Sequence, residues 1–289
     1  MVRVLVAGAA GRMGQQIVRT VHSMPELELA GAFEAPGHPA IGRDLGEVCG
    51  LGPIGVPLSA GLESVLDKGE VLIDFTFHSA SIGFARLAAR RGLAMVVGTT
   101  GLSADEEAEL ARLAQESFPC VHAANMAVGV NVLFKLVEKT ARILGNAYDV
   151  EILELHHRLK KDAPSGTAIT LGRMAAQGLE RNFDEVAVRE RNGIIGARTD
   201  AEIGIQAIRG GDIVGEHTVY FVGQGERLEL THKASSRDNF ARGAVRAAAW
   251  VKGRPRGMYS MFDVLGLNHR RSEERRVGKE CRSRWSPYH

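Results

Sequence analysis

The chain has 289 residues, 45% of them hydrophobic and 24% charged, with a formal net charge of +2. That length suggests about two domains at roughly 100–200 residues each, and the apolar share excludes wholesale disorder. The near-neutral balance gives no reason to expect a nucleic-acid partner, and no apolar run approaches the roughly 20 residues of a membrane span.

Met1 to Ala7 is a β-branched run of the kind a buried strand needs. Gly8-Ala-Ala-Gly-Arg-Met-Gly14 follows directly, and Gln15 to Val21 then reads as helix, with Ile17, Val18 and Val21 on one side. Gly8 interrupts the apolar run too early for a secretory signal. A second strand is predicted over Leu27–Phe33, ending at Glu34, and a third over Val71–Phe75. Ala80 to Arg91 reads as helix and Ala94 to Val97 as strand. Ser103 to Gln115 starts acidic, with Ser103 as N-cap and Glu106 completing a capping box. Strands alternating with helices predict an α/β, Rossmann-type parallel sheet covered on both faces.

The pattern changes near Asn125. Asn131 to Leu144 is an amphipathic helix, carrying Leu133, Leu136, Val137, Thr140, Ala141 and Leu144 at helical spacing. Val150 to Leu155 is a strand that runs into His156, and Ser165 to Leu179 reads as helix. Then the chain turns β-rich: Ile203–Ile208, Asp212–Val222 and Glu226–His232, with Gly223–Glu226 as a tight connection. Arg237 to Val251 returns to helix. Strands without intervening helices predict a second, smaller α+β domain on a mixed or antiparallel sheet.

Cys49, Cys120 and Cys281 show no paired spacing, which argues against a disulfide framework and fits a reducing cytoplasm. Residues 271–289, RSEERRVGKECRSRWSPYH, have no apolar period. A codon string that encodes them all resembles a widely used short-read sequencing adapter. The tail is therefore expected to be translated adapter; the alternative is a native basic extension.

Strand, glycine-rich turn and helix in that order is the dinucleotide-binding arrangement. The glycines let the backbone approach a pyrophosphate, and the helix N-terminus favours its negative charge. The spacing here is G-x-x-G-x-x-G, and the same glycines would serve an ordinary tight turn. Context favours the cofactor, because Glu34 stands where a carboxylate accepts the ribose hydroxyls. A carboxylate repels a 2′-phosphate, so NADH is expected over NADPH, with Arg12 and Arg43 as partial offsets.

Residues 151–168 read EILELHHRLKKDAPSGTA. His156, His157, Arg158, Lys160 and Lys161 cluster at a strand end, ahead of a helix opening at Pro164-Ser-Gly-Thr167. The N–H groups of Gly166 and Thr167, with the hydroxyls of Ser165 and Thr167, can hold a carboxylate at a helix N-terminus. His and Lys supply charge and a proton. A solvated basic loop would look the same. Neighbouring histidines on a strand point to opposite faces, so both meet one ligand only if the strand has ended. No suitably spaced third ligand supports a metal site.

The segments GAAGRMG at 8–14, DFT at 74–76, GTTG at 98–101, AANMAVGVN at 123–131, ELHHRLKKDAPSGTA at 154–168, GDIVGEHTV at 211–219 and THKASSRDNFARGA at 231–244 carry a resemblance. Together they resemble the 4-hydroxy-tetrahydrodipicolinate reductase family of lysine and diaminopimelate biosynthesis. The resemblance spans residues 1 to about 270; its E-x-H-H-R-x-K-x-D-A-P-S-G-T segment is highly specific. It implies a Rossmann domain over 1–126 and 237–270, a substrate-binding and oligomerisation domain over 127–236, and a cytoplasmic homotetramer. It implies that a pyridine nucleotide reduces a cyclic imine dicarboxylate with loss of water. His156 would be the proton donor/acceptor and Lys160 a proton donor; His157 would bind substrate, and Gly166 and Thr167 would hold a carboxylate. Gly8, Ala9, Ala10, Gly11, Arg12, Met13, Glu34, Gly98, Thr99, Thr100, Ala123, Ala124, Asn125 and Met126 match cofactor-contacting stretches. Many relatives have Arg where this chain has Ala35, and Ser where it has Ala127. The first departure weakens any case for NADPH.

Two other readings compete. Other Rossmann-type amino-acid or sugar dehydrogenases share the glycine loop, but do not explain P-S-G-T after H-H-R-x-K. A dinucleotide-binding module without chemistry would have no use for His156 and Lys160. With ligands divided between two domains, closure is expected about Ala127–Gly129 and Ser235–Arg237.

Overall fold

Val4, Leu5, Val6 and Ala7 are all buried, and they feed two different cores in alternation: Val4 and Val6 one, Leu5 and Ala7 the other. This is the period of a strand inside a sheet covered on both faces. The computed structural model describes residues 1–268; the expected adapter tail lies outside the described residues. The chain opens with β1 (Val2–Ala7), α1 (Arg12–His22), β2 (Leu27–Glu34), α2 (Leu45–Cys49) and β3 (Leu58–Ala60). Next come β4 (Val71–Asp74), α3 (His78–Ala89), β5 (Ala94–Val97), α4 (Ala104–Ser117) and β6 (Pro119–His122). α4 begins with the expected capping box between Ser103 and Glu106.

The chain then leaves this sheet. α5 (Val128–Leu144), β7 (Asp149–His156), α6 (Gly166–Gly178), α7 (Phe183–Val186) and β8 (Ala187–Val188) follow. β9 (Ile203–Arg209), β10 (Gly215–Val222) and β11 (Arg227–Ala234) complete a second sheet. α8 (Asp238–Val251), β12 (Gly257–Tyr259) and α9 (Met261–Val264) return to the first lobe.

The first sheet has seven strands in the order β12-β6-β5-β4-β1-β2-β3, every pair parallel. The second has the order β11-β10-β7-β9-β8, antiparallel from β11 to β7 and parallel from β7 to β8. Its covered face packs on α5 and α6 around Val137, Val150, Ile152, Leu171, Ile205 and Phe221. α8 contributes Ala241, Ala244, Val245 and Ala248 to the core that holds Val4 and Val6. The architecture is thus a Rossmann-type parallel sheet with a second, mixed-sheet lobe inserted between β6 and α8.

The periodic segments fall where the sequence predicts, with ends shifted by at most three residues. The short strands β3, β6 and β12 differ: nothing in the sequence marks them. Three or four residues carry no readable period, and each is held by a parallel neighbour distant in sequence.

Candidate active site

One side of the site is built at the C-terminal edge of the parallel sheet. β1 ends at Ala7, and Gly8 turns the chain with φ +60°, the left-handed region that glycine enters without strain. Gly14 has a different reason: a Cβ there would lie 2.0 Å from the Gly8 carbonyl oxygen, so only glycine lets α1 start this close to the loop. Glu34, at the end of β2, accepts a hydrogen bond from Ala10 N–H at 2.9 Å. At the end of β4, the buried Asp74 accepts from Thr76 N–H (3.0 Å), Thr76 Oγ1 (2.6 Å) and Thr99 Oγ1 (3.4 Å), joining the β4 and β5 loops. Burial raises its carboxyl pKa, against the pull of these hydrogen bonds. A loop of glycine and alanine at a helix N-terminus, with a carboxylate one strand away, fits a pyridine dinucleotide: its backbone can meet a pyrophosphate and Glu34 a ribose.

The other side is built by β7 and α6. Val150, Ile152 and Glu154 alternate onto the buried face of β7, and the strand ends at His156. His157 therefore lies beyond the strand, and both histidine rings border the same cleft. Lys160 follows on the turn, its Nζ 2.8 Å from Asp162 Oδ1. Ser165 caps α6, accepting from Ala168 N–H at 3.2 Å, which leaves Gly166 and Thr167 as the first helical residues. The Ser165 hydroxyl also lies 3.2 Å from His217 Nε2, so this buried side chain is occupied from within the protein.

Beneath these residues lies a buried polar network. Glu154 is fully buried and makes hydrogen bonds with His156 Nδ1 (2.5 Å), Arg209 Nη2 (2.7 Å) and Ser165 N–H (3.0 Å). Burial alone would raise its pKa; the donors outweigh burial and bring it down to about 2. His217, paired in register with Glu154 on β7, stacks edge-on to His156 with centroids 5.1 Å apart. Burial, with the His156 ring alongside, lowers His217 to about 3, so it is neutral at ordinary pH.

A cleft of about 720 Å³ brings the two sides together. It is lined by Thr100, Ala123, Ala124 and Asn125 from the parallel-sheet lobe, and by His156, His157, Lys160, Ser165, Gly166 and Thr167 from the other. Asn125 Nδ2 donates to Thr167 Oγ1 at 3.1 Å, directly across. Gly8 to Met13, Glu34, Gly98 and Thr99 do not line this cleft, and Met126 is buried beside it. The glycine loop and Glu34 belong to the neighbouring strand ends. Sequence reading misses His122, Asn131, Arg237 and Phe262, which border the cleft, and the supports Glu154, Arg209 and His217. Arg237 stands in a quoted motif, where it reads only as a crossover residue.

Comparison with known proteins agrees with this arrangement. The family model described as dihydrodipicolinate reductase, N-terminus, matches residues 2–126, and its C-terminus counterpart matches 129–265. A 4-hydroxy-tetrahydrodipicolinate reductase of Desulfotalea psychrophila is 62% identical over 267 residues, covering 92% of this chain and 99% of the relative. One from Syntrophobacter fumaroxidans is 54% identical, covering 92% and 100%. Among solved structures, a dipicolinate-bound dihydrodipicolinate reductase from Paenisporosarcina sp. TG-14 superposes with a TM-score of 0.68 at 26% identity, covering 91% of this chain and 98% of that one. With the two family models matched over 2–126 and 129–265, and relatives above half identity along nearly their whole length, the chain belongs to the dihydrodipicolinate reductase family.

Proposed function

We propose that the chain catalyses the reduction of 4-hydroxy-tetrahydrodipicolinate to tetrahydrodipicolinate by NAD(P)H, with loss of water, in lysine and diaminopimelate biosynthesis. One observation carries the reading: His156, Lys160 and the N-terminus of α6 meet Thr100 and Ala123 to Asn125 in a single cleft between the lobes. A reduced nicotinamide, when bound, supplies the hydride. The residues of this chain supply the rest. Gly166 and Thr167 N–H groups, at a helix N-terminus, suit one substrate carboxylate, and His157 suits the other. Lys160 delivers a proton as negative charge develops on the ring, and His156 exchanges protons at its free nitrogen. Such help is worth roughly 10²–10⁴-fold in rate.

The finer assignments follow the same residues. Gly8 to Met13 hold the pyrophosphate, Glu34 the adenosine ribose, and Gly98 to Thr100 with Ala123 to Met126 the nicotinamide half. Glu34 favours NADH over NADPH, because its charge opposes a 2′-phosphate. The lobes divide as 1–126 with 237–270, and 127–236. A homotetramer built on the mixed sheet accounts for Ile208, Val222 and Leu228 being exposed on its strands. Buried free Cys49 and Cys120 suit a reducing cytoplasm, and no helix among the described residues is long and apolar enough to cross a membrane.

The test is NADH oxidation by the purified chain, with the condensation product of pyruvate and aspartate semialdehyde as substrate. Substrate-dependent loss of NADH absorbance is expected. A folded, NADH-binding preparation that oxidises none would overturn the assignment, in favour of a binding module or a dehydrogenase of other specificity.

A further inference from the structure

Glu154 is fully buried, yet its carboxylate is fully satisfied. Oε1 accepts from Ser165 N–H (3.0 Å) and Arg209 Nη2 (2.7 Å); Oε2 accepts from His156 Nδ1 (2.5 Å) and Arg209 Nη1 (2.9 Å). An ionised carboxylate offers about four lone-pair sites and no hydrogen, so no acceptor position is left over. His156 must therefore present Nδ1–H to Glu154, which leaves Nε2 as the nitrogen available to a ligand in the cleft.

Arg209 extends the restraint. Its Nη2 also donates to the Asp162 carbonyl at 2.7 Å, and Asp162 Oδ1 in turn accepts from Lys160 Nζ at 2.8 Å. Its Nη1 donates to the Ile208 carbonyl at 2.7 Å. A single planar guanidinium thus fastens the carboxylate behind His156 and the turn that carries Lys160. Lysine, with one nitrogen, could not form both halves of the bidentate pair.

We propose that Glu154 and Arg209 are the positioning residues of the reduction: together they fix the His156 tautomer, the Ser165 turn and the Lys160 turn in one register. This rests on the reading that His156 and Lys160 exchange protons with the substrate. Neither residue lines the cleft. Each acts through the groups it holds, as the orienting acid of a hydrolytic triad acts through its histidine.

The experiment uses the full chain and three variants, Glu154→Gln, Arg209→Lys and His156→Ala. First, long-range proton–nitrogen spectra of the ¹⁵N-histidine-labelled wild type, assigned by difference against His156→Ala, should show a proton on His156 Nδ1. A bare Nδ1 overturns the proposal whether or not Glu154→Gln and Arg209→Lys fold. Second, Glu154→Gln should move that proton to Nε2 and lower kcat about 10²-fold, within the worth of the acid it orients. Arg209→Lys keeps the charge and loses the fork, and kcat should fall about tenfold. In both, the KM for NADH should stay within about twofold, which a general loss of structure would not spare. Wild-type kcat in Glu154→Gln and Arg209→Lys, with His156→Ala impaired, refutes positioning and leaves the catalytic reading intact. Wild-type kcat in His156→Ala refutes that reading and positioning with it.

Discussion

Asn125 donates its side-chain N–H to the Thr167 hydroxyl over 3.1 Å, linking the first crossover to the helix end that faces it. The same asparagine accepts from Ala127 N–H at 2.9 Å, and the buried Asn131 donates to the carbonyls of Asn125 and Ala127, both at 2.9 Å. The crossover is thereby fixed on one side and aimed at the N-terminus of α6 on the other.

Thr167→Val keeps the shape and removes the hydroxyl. The KM for the dicarboxylate substrate is expected to rise about tenfold, the loss of one hydrogen bond of about 1.4 kcal/mol. The KM for NADH should change less than about twofold. Steady-state kinetics with each substrate varied separately checks both, and an equal rise in the two constants would show that the hydroxyl acts on the lobes rather than on the ligand.

Lys160→Ala removes an ammonium held by Asp162 at the mouth of the cleft. Turnover should fall by about 10²–10⁴-fold, the range of general acid help. NADH binding, read by fluorescence, should be retained. Unchanged turnover would remove Lys160 from the chemistry.

Glu34→Gln keeps a side-chain acceptor for Ala10 N–H and removes the charge. The wild type should show the higher kcat/KM with NADH, and the variant should narrow the NADH:NADPH ratio about tenfold, or about 1.4 kcal/mol. A wild type that prefers NADPH would reverse the assignment of Glu34.

The buried network makes the fold sensitive to acid. His217 falls from an ordinary 6.5 to about 3 in the folded protein, so the unfolded chain binds its proton first. Stability is therefore expected to decline as pH drops from about 6.5 towards 3, by up to about 1.4 kcal/mol per unit from this group. Glu154, lowered from 4.5 to about 2, adds a second loss as pH drops from about 4.5 towards 2. Denaturant unfolding at a series of pH values should show His217→Gln less steep than wild type in the upper window. Identical slopes would mean that the histidine is not held neutral.

Much of this site can be read before the structure. The strand–glycine–helix order marks the first turn of the parallel sheet, and the run from His156 to Thr167 contains residues of one wall of the cleft. Their supports are harder to read. Glu154 has a signal: it continues the alternation of Val150 and Ile152 onto the buried face, where a carboxylate needs partners. His217 has the same signal, between Gly215 and Val219. Neither signal says which residues are the partners. Arg209 lies 55 residues from Glu154 and meets it only because β9 pairs with β7. The short edge strand β12 is hidden for the same reason, since its partner β6 is remote in sequence.

The parallel sheet and its covering helix come from both ends of the chain, with the mixed-sheet lobe between them. During synthesis, the surface of Val4 and Val6 that Ala241, Ala244 and Val245 cover must wait for more than half the protein to emerge. A ribosome paused after Ala234 carries a second lobe with every strand of its own sheet already made, and a parallel-sheet lobe still lacking one wall and an edge strand. A segment translated after the whole second lobe is thus the one that seals the first.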